Sequence, residues 1–319
     1  PLLAQAAGQP YYVTFMSRVL IFGMAALSLN LLLGFGGLTS LGHSAFLGLG
    51  AYTVGLMVQA GVSNGFLHIA ALLAVGTLAA FAIGALCLRT SGLSFIMLTL
   101  AFAQLLYFVG SGLKAYGGDD GFSFRGRSQF GSAFSLADDT TLYYAILACL
   151  LVSALVVSRL VDSRFGMALR GTKSNLRRIE SIGLHAYRYQ LTAFVISGVM
   201  CTVAGGLLAN LTQFVSPAYM HWARSADLLI MALLGGMGSV LGPVVGAAAL
   251  LLLEEGLGAL TQHWQAPLGI ILILIVMFAR NGLSEMGEVF MRAARRLLGT
   301  RLESTPHPLV RPVAGPAAE

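Results

Sequence analysis

FLHIAALLAVGTLAAFAIGALCL, residues 66–88, contains no Asp, Glu, Lys or Arg and is long enough to cross a bilayer as one helix. Spanning about 30 Å of hydrocarbon takes roughly 20 apolar residues in helical form, because in lipid every backbone N–H and C=O must find an internal partner. Runs of the same kind fill most of the chain: residues 13–35, 41–60, 93–110, 142–160, 191–211, 227–240 with 242–260 behind it, and 266–280. The strand-like alternation of a membrane barrel is absent. The expected fold is therefore all-α, a polytopic transmembrane helical bundle. The short segments 41–60 and 227–240, bounded by Gly and Pro, fit either complete spans or broken, re-entrant helices lining a cavity, and hydropathy does not choose between them.

Composition agrees with this reading. Apolar residues make up 57% of the 319, charged residues 10%, and the mean hydropathy is +0.81, against roughly 25% charged in a soluble domain. The formal charge of +6 raises nucleic acid as a partner, but thirteen of the nineteen basic residues fall in two stretches, seven in 158–190 and six in 280–311. Membrane topology accounts for that clustering, since Lys- and Arg-rich loops beside spans stay cytoplasmic. Cys87, Cys149 and Cys201 sit singly within apolar runs, without the paired spacing of a disulfide framework or a metal site.

Placing loop 158–190 in the cytoplasm orients the rest. Counting backward, residues 111–141 lie outside, where Lys114, Arg125 and Arg127 are offset by Asp119, Asp120, Asp138 and Asp139; Arg89 comes inside and the N-terminus outside. Counting forward brings Arg280 and the basic C-terminal end inside, so both directions obey the positive-inside rule. An external N-terminus without Met points to a span missing upstream, with a cleaved signal peptide as the rival. A single transmembrane domain is expected over 1–299, with a disordered, proline-bearing cytoplasmic tail over 300–319.

Small residues at fixed spacing predict close helix contacts: Gly76, Ala80 and Gly84, and Gly242 and Gly246. Residues 36–42 (GGLTSLG) and 235–242 (GGMGSVLG) also form a faint internal repeat with one insertion.

Residues 166–174, GMALRGTKS, nearly match a phosphate-binding loop, but Thr172 separates the glycine from the lysine, and no soluble nucleotide-binding domain surrounds them. ATP, if used, binds another chain. Just beyond, Leu176, Ile179 and Ile182 form one apolar stripe of a short helix over 173–183, with Ser174 as the expected cap and Gly183 as the stop. That stripe faces either a soluble partner or lipid headgroups. Ser40, His43, Ser44, Asn210 and Glu254 are candidates for a solute path, with Glu255, Gln213 and Ser216 beside them. The competing reading makes His43 a buried residue hydrogen-bonded to Ser40 and Ser44, makes Asn210, Gln213 and Ser216 helix-end groups, and places the two acids at an interface. Asp119 and Asp120, in GDDG, offer acids to a basic partner outside or simply make a turn; the spacing is too sparse for a calcium loop. No metal site is expected.

Residues 36–52, GGLTSLGHSAFLGLGAY, resemble the GxxSLGHxAFxGxGAY signature of the branched-chain amino-acid permease family of ATP-binding-cassette importers, M-subunit branch. Residues 89–102, 117–121 and 233–243 resemble further family stretches in the same order. The resemblance implies a bacterial inner-membrane permease that is not an enzyme and binds no cofactor itself. It implies a sister permease in a heterodimer, two ATPase subunits carrying ATP and Mg, and a periplasmic substrate-binding protein. It also implies that a cytoplasmic helix here, at Asn175, Leu176, Arg177, Arg178, Ile179, Glu180, Ile182 and Gly183, couples to an ATPase, although Glu180-Ser181-Ile182 stands where better-known importers carry EAA. Two alternatives remain open at this point: an ion-coupled secondary transporter or channel, and a membrane scaffold that binds a soluble partner.

Overall fold

The computed structural model describes residues 10–130, 138–260, 263 and 265–278. The expected tail and Arg280 lie outside the described residues.

The apolar runs become α1 (Pro10–Asn30, continued by a π-helical turn Leu31–Gly36), α2 (His43–Gln59), α3 (Gly65–Cys87), α4 (Leu93–Gly112), α5 (Asp139–Asp162), α8 (Ala186–Thr212), α9 (Trp222–Gly235), α10 (Gly242–Leu260) and α11 (Gln265–Phe278). Two short helices, α6 (Arg164–Ser174) and α7 (Leu176–Ser181), lie between α5 and α8. Among the described residues, strand is confined to β1 (Phe122–Ser123), paired antiparallel with β2 (Phe214–Val215). The bundle is all-α and polytopic, with six helices long and apolar enough to cross a membrane; α2, α9 and α11 fall short of that length.

Depth of burial sorts the helices. In Tyr11–Gly36 the span is 94% buried, against 22% for α4 and α5, so α1 is the axis and α4 and α5 present apolar faces outward. Helices α5, α8, α9 and α10 pack around α1, and α2 and α3 pack on the far side of α8. With a solvent as apolar as the core, helix association depends on close packing of small residues. The spacing read from the sequence serves that purpose: Gly76, Ala80 and Gly84 of α3 meet Thr202, Gly198 and Phe194 of α8, and Gly246 of α10 lies on the Met231 carbonyl of α9. Gly50 of α2 is pressed so closely on α8 that any Cβ there would collide with the Thr202 carbonyl.

The bundle has two distinct ends. At the cap end, loop 113–130 covers the helices through the β1–β2 pair, through Gly65 N–H donating to the Gln129 carbonyl at 2.7 Å, and through His68 Nδ1 lying 2.6 Å from Ser128 Oγ. At the elbow end, α6 lies against the last turn of α1: Leu169 packs on Gly36, and Lys173 Nζ donates to the Gly34 carbonyl at 2.8 Å. The charge count grouped the helix ends in the same two sets.

Candidate functional site

The chain between α1 and α2 does not turn at the elbow end and leave. Residues 37–42 run inward without helix, so α2 begins inside the bundle. Its first residue, His43, lies against Ser197, eleven residues along α8 from Ala186, which is about 16 Å of helix at 1.5 Å per residue. Residues 213–221 run inward from the opposite end, with Val215 against Gly55 and Met220 against Gly48, before α9 begins at Trp222. Two helix N-termini therefore meet in the interior. Ser44 N–H donates to Ser225 Oγ at 2.9 Å, Ser225 donates to Ser44 Oγ at 2.8 Å, and Ser44 donates to the Met220 carbonyl at 3.0 Å. The sequence left a choice between spans and broken helices; α2 and α9 are helices that start partway through the bundle, entered from opposite ends.

His43 is fully buried, and its hydrogen bonds fix its tautomer. Ser197 Oγ donates to the Ser28 carbonyl at 2.5 Å, so it accepts from His43 Nε2–H at 2.7 Å; Nδ1 then accepts from Ser40 Oγ at 3.2 Å. The imidazole links α1, α2 and α8. Of the two expected partners, Ser40 is bonded and Ser44 is not: Ser44 bonds Ser225 of α9 and the Met220 carbonyl, and Ser197 takes its place.

At the elbow end the predicted helix 173–183 is two helices. Asn175 breaks it, adopting an extended backbone and accepting the Arg178 N–H on Oδ1 at 3.1 Å, which makes it, not Ser174, the cap of α7. A short amide side chain competes well for free N–H groups at a helix start, which is the physical reason for the correction. Gly183, at φ 84°, ends α7 as expected. Ile179 packs on Gly171 of α6, while Leu176 and Ile182 are 43% and 66% exposed and Arg177, Arg178 and Glu180 also face outward. Residues 166–174, the near-miss phosphate loop, lie within helix α6.

At the cap end, Asn210 Oδ1 accepts the Ser128 N–H and lies 3.0 Å from Ser128 Oγ, and the Asn210 carbonyl accepts from Arg127 Nε at 3.1 Å. Arg127 also pairs with Asp139 at 2.7 Å. Asn210 thus fastens the loop to α8. Gln213 caps α8 in the left-handed region, and Ser216 caps the short turn Pro217–Met220. Asp119 and Asp120 are exposed on the turn Gly118–Asp120.

Glu254 lies among groups that sequence reasoning passed over. A cavity of about 410 Å³ is lined by Glu254, Arg224, Asp227 and His221 among α9, α10, α11 and Phe22 of α1; one of about 380 Å³ beside it is lined by Arg18, Tyr11 and Arg224. Arg224 pairs with Asp227 at 3.3 Å, and Tyr11 donates to Glu255. The available signal was an ionisable residue inside an apolar run: Arg18 within 13–35, and Asp227 at the head of 227–240.

A family model described as branched-chain amino acid transport system / permease component matches residues 11–279. The high-affinity branched-chain amino acid transport system permease protein LivM of Escherichia coli is 29% identical, covering 89% of this chain and 74% of the relative. The corresponding LivH protein of the same species is 29% identical over 40% of this chain and 42% of its own length. An autoinducer 2 import system permease protein, LsrC of Photorhabdus laumondii, is 31% identical over 31% of each chain.

Proposed function

Because the chain belongs to the family of branched-chain amino acid transport system permease components, a set of transport subunits rather than enzymes, we propose that it forms one half of the pathway of an ATP-binding-cassette importer. Its place is a bacterial inner membrane, with the elbow end in the cytoplasm and the cap end outside. Its cargo is a branched-chain amino acid or a similar small polar solute. The partners are a sister permease, two ATPase subunits that carry ATP and Mg, and a binding protein that docks on the cap, where Asp119 and Asp120 are exposed. The mechanism is alternating access, in which ATPase closure biases the packing of the bundle.

The observation that carries this reading is the elbow. A capped helix, α7, projects Leu176 and Ile182 away from the bundle, with Arg177, Arg178 and Glu180 around them. Exposed aliphatic side chains flanked by charge suit a protein groove, where the aliphatics supply burial and the charges supply register. Motion of α7 has a mechanical route inward, because α6 holds the α1 terminus through Lys173 and Gly34, and the chain from there leads directly to His43.

Replacing Arg177, Arg178 and Glu180 together by Ala is expected to leave membrane insertion intact and to uncouple ATP hydrolysis from uptake in reconstituted vesicles. Normal coupling in that variant would sink the assignment. One observation favours a second reading, ion-coupled transport without an ATPase: the ionisable groups at 18, 224, 227 and 254. Purification in mild detergent separates the two, since stoichiometric ATPase subunits support the importer and their absence supports the rival.

A further inference from the structure

Of the seven basic residues in 158–190, four belong to the elbow: Lys173 holds the Gly34 carbonyl, Arg170 Nη2 donates to the Val161 carbonyl at 3.1 Å, and Arg177 and Arg178 project with α7. Arg188 is different. It is exposed in the first turn of α8, on the wall of a cavity of about 260 Å³ between the heads of α6 and α8. The lining holds Arg188 and His185 but no Asp or Glu, and the nearest acids in sequence, Asp162 and Glu180, are exposed outside it. Among the described residues, ion pairs are confined to Arg127–Asp139 and Arg224–Asp227, so the Arg188 guanidinium carries its charge unpaired. His185, at the start of α8, makes no capping bond with its side chain. The rest of the wall is aromatic and apolar: Phe165 and Tyr189 have ring centroids 5.6 Å apart, and Leu184 joins them in the lining. At Gly183 a Cβ would meet no atom within 4 Å, so the cavity is open on that side.

The cavity lies where the protein leaves the hydrocarbon. The apolar run of α5 ends at Leu160 and that of α8 begins at Leu191. The Phe165–Tyr189 contact brings the chain just past the first end and just before the second to one level. Tyr187 Oη donates at 3.2 Å to the Ala85 carbonyl, in the last turn of α3, so a third span ends at this level too. Tyrosines gathered at such a boundary mark the headgroup layer. Helix α5, which leads into Phe165, is buried over only 22% of its span, so lipid reaches the cavity along it.

We propose that this cavity is a binding site for the phosphate headgroup of an anionic phospholipid. The planar donors of Arg188 match a pair of phosphate oxygens, and the His185 ring and Tyr189 hydroxyl supply further hydrogen bonds. Phe165 and Leu184 take the glycerol and the first methylenes of the chains. The exposed stripe of Leu176 and Ile182 offers aliphatic area to a protein groove, whereas this cavity offers one unpaired cation and an approach along a lipid-facing helix, which suits a headgroup. Because Gly183, the stop of α7, and the first turns of α8 both line it, a seated headgroup braces the elbow against α8. The site stands whether or not the chain works with ATPases.

The test uses the complex as it purifies, with all its subunits, in nanodiscs of equal parts phosphatidylglycerol and phosphatidylcholine or of phosphatidylcholine alone. Native mass spectrometry of the released complex is expected to show phosphatidylglycerol retained over phosphatidylcholine by about fivefold, the size set by one cation at a membrane surface, and the melting temperature should be higher in the mixed discs. Arg188→Gln should lose both effects and Arg188→Lys should keep most of both. Leu184→Glu, which sets a carboxylate in the lining, should also abolish the preference. Arg159→Gln removes an equal charge from the exposed end of α5, outside the cavity, and should change neither readout. Equal losses in the Arg159→Gln and Arg188→Gln variants would reduce the effect to diffuse surface charge and overturn the site. A preference that appears only after other subunits are stripped away would overturn it as well, by showing that a protein covers the cavity. Glycerol 3-phosphate and inorganic phosphate at millimolar concentration should not raise the melting temperature in phosphatidylcholine discs; a rise that Arg188→Gln removes would assign the cavity to a soluble phosphate and refute the lipid.

Discussion

His43 shows how a residue that looks functional in the sequence acquires its role from its neighbours. Both ring nitrogens are bonded, to Ser40 and Ser197, and the Ser197 hydroxyl is itself committed to the Ser28 carbonyl. Substitution His43→Leu removes one hydrogen-bond partner from each of two buried hydroxyl groups, at a cost of about 2 kcal/mol, while Ser197 keeps the Ser28 carbonyl and Ser40 keeps the Gly42 N–H. The variant is expected to unfold in detergent at a lower temperature, with His43→Gln losing less; equal stability of all three proteins would refute the network. Gly50 is the complementary case, where no group is needed and none fits. Because a Cβ would collide with the Thr202 carbonyl and come to 3.0 Å from Gly206 N, Gly50→Val should push α2 off α8 at a cost of about 3 kcal/mol. Thermal unfolding reads that directly, and a neutral effect would mean the contact is looser than drawn. The Ser40 partner of His43 was legible because it lies one turn away in sequence. Ser197 was not, because nothing local to His43 specifies which helix will face it.

Among the elements, the long spans were legible almost to the residue, since burial of backbone polar groups leaves a lipid-facing run no alternative to helix. The 13–35 run appears as Tyr11–Gly36 and the 142–160 run as Asp139–Asp162. The elbow was legible as a helix but not as two. Stripe periodicity continues smoothly through Asn175, and only the bond from Arg178 N–H to the Asn175 side chain shows that the chain breaks there. Asn175→Ala should therefore fray α7 by about 1 kcal/mol, seen as faster hydrogen exchange over 176–181 while exchange in α6 is unaltered. Protection that persists in both helices would show that the cap is dispensable. The π-helical turn at Leu31–Gly36 also escaped hydropathy. It ends α1 where Lys173 takes hold of the Gly34 carbonyl, a position where such turns commonly mark function.

At the scale of the whole molecule, the helix ends divide into a cap and an elbow, and the positive-inside argument assigns them to opposite sides. With the native cysteines removed, a single cysteine at Asp119 is expected to react with an impermeant thiol reagent added outside intact cells, and one at Arg177 only after the membrane is opened. The reverse pattern would invert the orientation and, with it, the side on which an ATPase docks. Apolar runs, small-residue spacing and charge clusters in the sequence alone determined that this chain is a helical membrane bundle with two chemically different ends, because each is a local property that lipid and membrane potential read one segment at a time. Only tertiary packing decided that α2 and α9 begin inside the bundle and that Arg18, Arg224 and Glu254 gather around neighbouring cavities. Arg18 lies more than two hundred positions from Arg224 and Glu254 along the chain. The face each helix turns to its neighbours is set by how glycines and bulky side chains interlock between helices, and no single helix carries that information.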